Sequence, residues 1–203
     1  QNPNPLGTGG HFAVGEQAQA NRIFYGIPEV LGKDKNRYAN QRVLVVGGGH
    51  SAINSILDLR KLVIDYPDTE IHWVLRKENM TAVFGGKEKD SLAARGALGK
   101  RIEKLVQTGK IKVYTPFQVT EVQAQKNGRL KIIGQQKDVL QALENIDEVI
   151  CNTGARPDFE FLREIRYHHD AALESVPALA PLIDPNVHSC GTVRPHGEAE
   201  LRQ

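Results

Sequence analysis

The chain has 203 residues, of which 40% are hydrophobic and 25% charged, proportions that are typical of a globular protein and exclude a disordered or fibrous one. The formal net charge is only +2, with acidic and basic residues interleaved, which argues against a nucleic-acid or anionic-membrane partner. No apolar run has the length needed to cross a bilayer and no signal peptide is visible, so we expect a cytoplasmic location.

Cysteine usage favours the same compartment. Only Cys151 and Cys190 occur, far apart in sequence, which fits neither a disulfide framework nor a Cys-x-x-Cys redox pair. A small buried side chain is the expected role of Cys151, in a reducing cytosol. Because the chain begins with Gln1 and not with Met, we expect it to be a piece of a longer protein.

The elements follow one another in a regular pattern after about 40 residues rich in Gly, Pro and Asn, which we interpret as a connection with one short helix near AQANRIFYG. Residues 43–46 are a β-branched and leucine run, typical of a strand buried on both faces. A helical apolar stripe begins at His50 and is stopped by Pro67 and Asp68. The remaining periodic segments predict a strand over 69–76, a helix over 91–107 capped by Gly109, and a strand over 110–115.

The next segment changes period. Residues 117–125 and 129–134 alternate apolar and polar side chains around an Asn127-Gly128 turn signal, which predicts an antiparallel insertion. A buried strand then ends in Thr-Gly, and a short helix around FEFLREI follows with Asp158 as its cap. The predicted fold class is therefore a three-layer α/β, Rossmann-like dinucleotide-binding domain with a small antiparallel β insertion.

Three glycines, Gly47, Gly48 and Gly49, separate the first buried strand from its helix. The first amides of such a helix lack partners and favour an anion, and a diphosphate can approach only a backbone without side chains. In this reading Gly47 makes the tight turn, Gly49 admits the diphosphate and Ala52 lets the helix pack closely on the strand. A glycine turn that binds nothing is the alternative.

Two polar residues follow the glycines. Ser51 would either add a hydroxyl to the phosphate or cap the helix. His50 would either touch the nicotinamide side of the cofactor or simply begin the helix.

The end of the second strand bears on the choice of cofactor. Arg76 and Lys77 stand where enzymes that use NAD usually carry an acid for the ribose hydroxyl, and a guanidinium suits a 2′-phosphate. We therefore predict NADPH over NADH, with Lys87 or Lys89 as further candidates to face that phosphate. The alternative is an ordinary solvated strand end.

With these motifs the sequence resembles the pyridine-nucleotide half of a flavoprotein with two dinucleotide-binding domains, a group that includes thioredoxin-reductase-like enzymes and flavin-containing monooxygenases. The segment VICNTGARPD carries the resemblance most specifically, because in that superfamily the strand returning to the flavin domain ends in Thr-Gly, often followed by x-Arg-Pro. The resemblance implies that Thr153, Gly154 and Arg156 lie near the interface where nicotinamide meets flavin. It likewise implies FAD in the full-length protein.

The same resemblance sets the domain boundaries. Residues 1–38 are expected to be the connection from an FAD domain, 39–155 the NADP-binding domain, and 156–203 the return segment. The first dinucleotide motif would lie upstream of this chain and the segment for the flavin ribityl chain downstream. The FAD domain of the parent chain is then an expected partner, with a small-molecule substrate and a possible homodimer.

Two reactions remain open. The absence of Cys-x-x-Cys argues against the thioredoxin-reductase subclass, and GGGHSA resembles the GxGxSA form of flavin monooxygenases, so we expect a monooxygenase-like oxidoreductase. A non-CxxC disulfide-type reductase and an NADPH-binding module or sensor without its own catalysis are the alternatives. His188, Cys190 and His196 lie close together in sequence, but their spacing fits no usual zinc pattern, so a polar loop is expected and no metal.

Overall fold

The computed structural model of the protein describes residues 2–78, 93–184 and 187. Numbered in chain order, its strands are β1 (Asn2–Pro3), β2 (Ile23–Tyr25), β3 (Arg42–Val46), β4 (Glu70–Val74), β5 (Lys112–Tyr114), β6 (Gln118–Ala124), β7 (Leu130–Gln136), β8 (Val139–Ile146), β9 (Glu148–Cys151) and β10 (Ala155–Arg156). Its α-helices are α1 (Lys35–Tyr38), α2 (His50–Asp65), α3 (Ala93–Gln107) and α4 (Ala180–Ile183). Turns of 3₁₀ helix span Thr8–Gly10, Gln17–Arg22 and Glu160–Leu162.

A parallel sheet with the strand order β2-β9-β3-β4-β5 forms the middle layer. In register, Val45 of β3 lies between Trp73 of β4 and Ile150 of β9. The continuous apolar run of β3 is explained by this position, because the strand is covered on both faces and its last four residues are buried.

Helices α2 and α3 cover one face of this sheet. The apolar stripe of α2 is buried as its period predicts, with Ala52, Ile56 and Leu59 fully inaccessible. Helix α3 ends in the cap predicted at Gly109, whose φ is +68° and whose N–H donates to the Val106 carbonyl at 3.0 Å. The pattern is that of a Schellman motif, which a residue without Cβ accommodates at no steric cost.

The antiparallel sheet β6-β7-β8 covers the other face and completes three layers. The predicted α/β class and its antiparallel insertion are thereby confirmed, but the insertion has a third strand, β8, that the sequence analysis did not assign. Strands β7 and β8 are joined at Lys137 and Asp138, whose φ values are +46° and +65°. A two-residue turn of this kind is usually formed by Asn-Gly or Asp-Gly, whereas Lys-Asp forms this one, so the sequence carries no clear turn signal here.

The amino-terminal segment differs from its prediction. The helix expected near AQANRIFYG is 3₁₀ only over Gln17–Arg22, and β2 follows as an edge strand paired with β9. Long-range strand pairing determines the secondary structure of this segment, since Ile23 of β2 is buried in the core beneath the antiparallel sheet. Residues 1–38, expected to be a connection, thus contribute a strand to the central sheet.

The segment that follows β9 forms a link to the beginning of the chain. Strand β10 pairs antiparallel with β1, so Asn2 lies opposite Arg156. Farther along, the Oδ1 atom of Asp158 accepts the Glu160 N–H at 3.0 Å. The helix that follows is a single 3₁₀ turn whose N-cap residue is Phe159, so Asp158, the predicted cap, supports its first residue from one position before the observed cap.

Candidate functional site

The order of the parallel strands reverses beside β3. The chain runs from β3 through α2 to β4 on one side, whereas β9 pairs with β3 on the other side. Ligands of open parallel sheets bind outside the carboxyl ends of the strands at such a switch point. Residues 47–49 and 152–154 follow β3 and β9 there, and the Asn152 N–H donates to the Val46 carbonyl at 2.8 Å, which brings the two segments side by side.

Gly47 occupies the tightest place in the turn. Its φ is +138°, and a Cβ at this position would lie 2.2 Å from the backbone oxygen of Asn152. Its N–H donates to the Val74 carbonyl at 3.1 Å, and its own carbonyl accepts the Trp73 indole N–H at 2.7 Å. Glycine is therefore needed here for the turn predicted from sequence and also for the close passage of the neighbouring strand end.

Gly48 and Gly49 are exposed and lie beside open space. A Cβ added to Gly49 would have no atom within 4 Å, so its missing side chain leaves room outside the backbone. Ala52, in contrast, is completely buried where α2 packs on the sheet, as its predicted packing role requires. Of the three motif positions, Gly49 thus faces open space, whereas Gly47 and Ala52 are packed closely against neighbouring segments.

The first turn of α2 presents unpaired donors to this space. The N-cap residue is Gly49 and no side chain caps the helix, while the amides of residues 48–52 make no hydrogen bond to any described residue. Ser51 lies within the first turn and not at the cap, so the capping role considered for it is wrong. His50 begins the helix, as one of its two readings predicts, and its contact with nicotinamide stays a prediction.

A small polar network that sequence reasoning missed supports the turn from below. The Asn152 side chain is buried, donates to the Gly26 carbonyl at 2.8 Å and accepts the Ser55 hydroxyl at 3.0 Å. Ser55 is a fully buried polar residue within the apolar stripe of α2. That interruption of the stripe was the available signal, since a buried hydroxyl on a helix needs a partner.

Arg76 and Lys77 follow β4 at the same carboxyl edge. Both side chains are exposed, and neither makes a hydrogen bond or ion pair with any described residue. The Lys77 carbonyl accepts the Thr115 hydroxyl, which ties this strand end to the one beside it. Among the described residues, Arg76 is thus a cation without a counter-charge, at the strand next to the glycine turn. Lys87 and Lys89 lie outside the described residues.

The Thr153-Gly154 turn has a structural partner in the amino-terminal segment. The Thr153 hydroxyl donates to the Asn4 carbonyl at 2.8 Å, and the Gly154 carbonyl accepts the Asn4 N–H at 2.9 Å. Gly154 has a φ of +100°, which suits glycine. Arg156 forms an ion pair with Glu174 at 3.3 Å. Its guanidinium is therefore bound to this carboxylate and not to the glycine turn.

Thiol and metal chemistry have little support among the described residues. Cys151 is buried, and burial raises the pKa of its thiol to about 11, which confirms its expected structural role and disfavours a reactive thiolate. No group of metal-binding side chains occurs in the described ranges. His188, Cys190 and His196 lie outside them. Nor does any described helix combine the length and apolarity that crossing a bilayer demands.

The protein-family model described as "Pyridine nucleotide-disulphide oxidoreductase" matches residues 11–182. Among curated relatives, a ferredoxin–NADP reductase from Orientia tsutsugamushi is 31% identical over 109 residues, which are 54% of this chain and 25% of that protein.

Solved structures share the fold at low identity. A bacillithiol disulfide reductase from Bacillus cereus superposes with a TM-score of 0.59 at 19% identity, covering 83% of this chain and 42% of that one. The FAD-bound cadaverine monooxygenase DfoA from Erwinia amylovora gives 0.52 at 16% identity, covering 71% and 43%. The chain therefore spans less than half the length of each of these three proteins.

Proposed function

Because the chain belongs to the pyridine nucleotide-disulphide oxidoreductase family, we propose that it is the NADPH-binding portion of a flavin-dependent oxidoreductase that passes hydride from NADPH to FAD. One observation carries the proposal. At the switch point of the sheet, amides of the glycine turn and of α2 have no partner among the described residues, and a Cβ added to Gly49 beside them would meet no described atom within 4 Å. This arrangement is what a diphosphate requires, since its oxygens replace the missing acceptors.

Each residue of the site has a defined task in this proposal. Gly48, Gly49 and Ser51 offer amides, and Ser51 a hydroxyl, to the diphosphate, while His50 faces the nicotinamide side. Arg76, assisted by Lys77, binds the 2′-phosphate of the adenosine through charge-assisted hydrogen bonds.

The Thr153-Gly154 turn shapes the floor of the crevice near the nicotinamide, with Arg156 nearby. Its hydroxyl is already committed to Asn4, so its contribution is to fix the backbone and not to bind the ligand directly. The flavin supplies the acceptor for the hydride, and an FAD domain of the same parent chain holds it. This chain's residues bind and orient the nucleotide.

We propose a monooxygenase-like reaction as the first candidate. The chain carries no Cys-x-x-Cys, and the buried Cys151, with its raised pKa, is unsuited to attack a disulfide. A disulfide-type reductase without that motif is the second candidate, supported by the family and by the name of the bacillithiol disulfide reductase. The name of the curated relative supports NADP for either. A binding module or sensor without catalysis is the third.

We also propose the partners of the protein and its location. The partners are a small-molecule substrate and the FAD domain of the same chain, with a homodimer as a possible assembly, and the location is the cytoplasm.

Calorimetric titration with NADPH and NADH in parallel tests the proposed cofactor. We expect NADPH to bind at least about tenfold more tightly, the equivalent of one charge-assisted contact to the 2′-phosphate. Equal affinities would remove the assignment to Arg76. No binding of either nucleotide, by a protein that is folded by circular dichroism, would contradict the proposed function itself.

The reaction type is tested on the full-length protein with its flavin bound. NADPH consumption that requires oxygen supports the monooxygenase-like candidate. Anaerobic consumption that depends on added disulfide supports the reductase, and a colourless protein that binds NADPH supports the module.

A further inference from the structure

The only tryptophan in the sequence, Trp73, lies beneath the glycine turn. It belongs to β4 and is completely buried in the core between the parallel sheet and the helices. An indole N–H is a donor only and needs an acceptor when it is buried. Its acceptor here is the Gly47 carbonyl oxygen at 2.7 Å, so the bond joins the core to the backbone of the site.

This bond determines which way the peptide between Gly47 and Gly48 faces. In a trans peptide the carbonyl and the N–H point in opposite directions. Since the Gly47 carbonyl is drawn toward the indole in the core, the Gly48 N–H is turned away from the core. Gly48 is exposed and its N–H has no partner among the described residues, so the donor faces the open side of the turn.

Without an anchor this peptide would have little to hold it. Both flanking residues are glycines, which accept either orientation of the peptide plane at small cost. A reversed peptide would present the partial negative charge of a carbonyl oxygen to an anion. Gly47 has two other constraints, its N–H bond to Val74 and its close passage along Asn152, but neither of them acts on its carbonyl.

We propose that Trp73 is a positioning residue for the dinucleotide diphosphate. Its indole N–H holds the Gly47–Gly48 peptide so that an amide hydrogen, and not a carbonyl oxygen, meets the phosphate. The inference rests on the proposed NADPH-binding function and adds a residue that touches no ligand. It also gives a reason for a large amphipathic side chain at this fully buried position of β4.

Trp73→Phe tests this proposal, because it keeps an aromatic ring in the core and removes the N–H. Two ligands are titrated by calorimetry: NADP⁺, which has the diphosphate, and 2′-AMP, which has the 2′-phosphate of the adenosine half but no diphosphate. We expect NADP⁺ to bind about tenfold more weakly to the variant, the size of one charge-assisted hydrogen bond, with 2′-AMP unchanged within about twofold. Ile71→Val, in the same strand and core, is the matched control and should alter neither affinity.

The outcomes distinguish a failure of the positioning role from a failure of the proposed NADPH-binding function. Equal NADP⁺ affinity in wild type and Trp73→Phe overturns the positioning role, as does an equal loss for both ligands, which would show a merely structural effect. Wild-type protein that binds no NADP⁺ overturns the proposed function and this inference together.

A second measurement needs no variant and covers the case in which Trp73→Phe fails to fold. In ¹H–¹⁵N spectra of the wild-type protein, the Gly48 amide should shift downfield on addition of NADP⁺ but not on addition of 2′-AMP. A Gly48 resonance that stays in place while the first-turn amides of α2 move would overturn the proposal.

Discussion

The two ends of the parallel sheet differ in how their charged and polar groups are paired. At the amino ends, charged side chains neutralise one another: Glu70 binds Lys112 at 2.7 Å and Arg42 at 3.0 Å, and Glu148 binds Arg37 at 2.6 Å. At the carboxyl ends, the amides of residues 48–52 and the Arg76 guanidinium have no partner among the described residues.

This difference distinguishes groups that serve stability from groups that are available to a ligand. Lys112, and after it Arg42, hold the pKa of Glu70 down at about 2, so the carboxylate is stabilised by the fold itself. Burial raises the pKa of Glu148 in spite of Arg37 and Arg22, so these ion pairs offset only part of the desolvation cost of the carboxylate. Among the described residues, no comparable pairing engages the donors at the carboxyl ends, so these donors can still contribute binding energy to a ligand.

The largest effect is expected from Gly47→Ala at the carboxyl end. The new Cβ would collide with the Asn152 backbone, and the positive φ would strain the residue, so we expect a loss of at least about 3 kcal/mol in the free energy of unfolding. Urea denaturation measures it. Gly49→Ala is the matched control, because its Cβ meets open space and its φ is −92°. It should cost under about 1 kcal/mol yet weaken NADPH binding. Equal stability losses would show that the turn is not built as described.

The next effect concerns Arg76, which has no ion-pair partner in the described part of the chain. Arg76→Ala should weaken NADPH binding about 30-fold and leave NADH within about twofold, since only NADPH offers a 2′-phosphate to the guanidinium. Stability should be unchanged because the side chain is exposed. Parallel calorimetric titrations give the ratio, and Lys77→Ala, which removes the assisting cation, should lower it to a smaller extent. An unchanged preference between the two nucleotides would contradict the assignment.

The amino end should respond to pH. Because the folded-state pKa of Glu70 is lowered from 4.5 to about 2, its contribution is present above pH 4.5 and is lost as the pH falls toward 2. The side chain is 39% exposed, so solvent screening limits the contribution to about 1 kcal/mol. Glu70→Gln should be less stable than wild type by that amount at pH 7 and equal to it near pH 2. A difference that does not depend on pH would be inconsistent with ion pairing.

The smallest effect is expected beside the paired network. The Tyr38 hydroxyl is buried and has no hydrogen-bond partner among the described residues, in contrast to the charges around it. Tyr38→Phe removes an unsatisfied group and keeps the ring, so it should leave stability unchanged or raise it by up to about 1 kcal/mol. Thermal unfolding measures the change. A clear loss of stability would mean that the hydroxyl has a partner after all.

The sequence was most informative where periodicity is local. The apolar run of β3, the stripe of α2 and the cap at Gly109 lie where they were predicted, because each depends on neighbours along the chain. Strand β2 was missed since three residues carry too short a period and their pairing partner is β9, more than a hundred residues away. The turn before β8 was missed because Lys137-Asp138 is not one of the Asn-Gly or Asp-Gly pairs typical of such turns, and Lys137 is an unusual residue for positive φ.

The residues of the candidate site likewise fall into those that a local sequence pattern identifies and those that it does not. Gly47, Gly49 and Ala52 could be assigned to a turn from their spacing and their strand–helix context, and the structure places them there. Trp73 and Asn152 could not, because their contacts with Gly47 join separate strands of the sheet. Arg156 is a third case: its motif was visible, but its ion pair with Glu174 depends on a loop whose path no local pattern fixes.

The position of β9 has a consequence for the order in which the protein matures on the ribosome. Strand β9 lies between β2 and β3, although it follows them in the chain by about a hundred residues or more. Until residue 151 has emerged, β2 lacks the only neighbour that it has in the described sheet, and one edge of β3 stays bare. The nascent polypeptide therefore carries open strand edges while residues 47–151 are made. The switch-point crevice is therefore assembled late, and translation must deliver its second wall before any coenzyme can be retained.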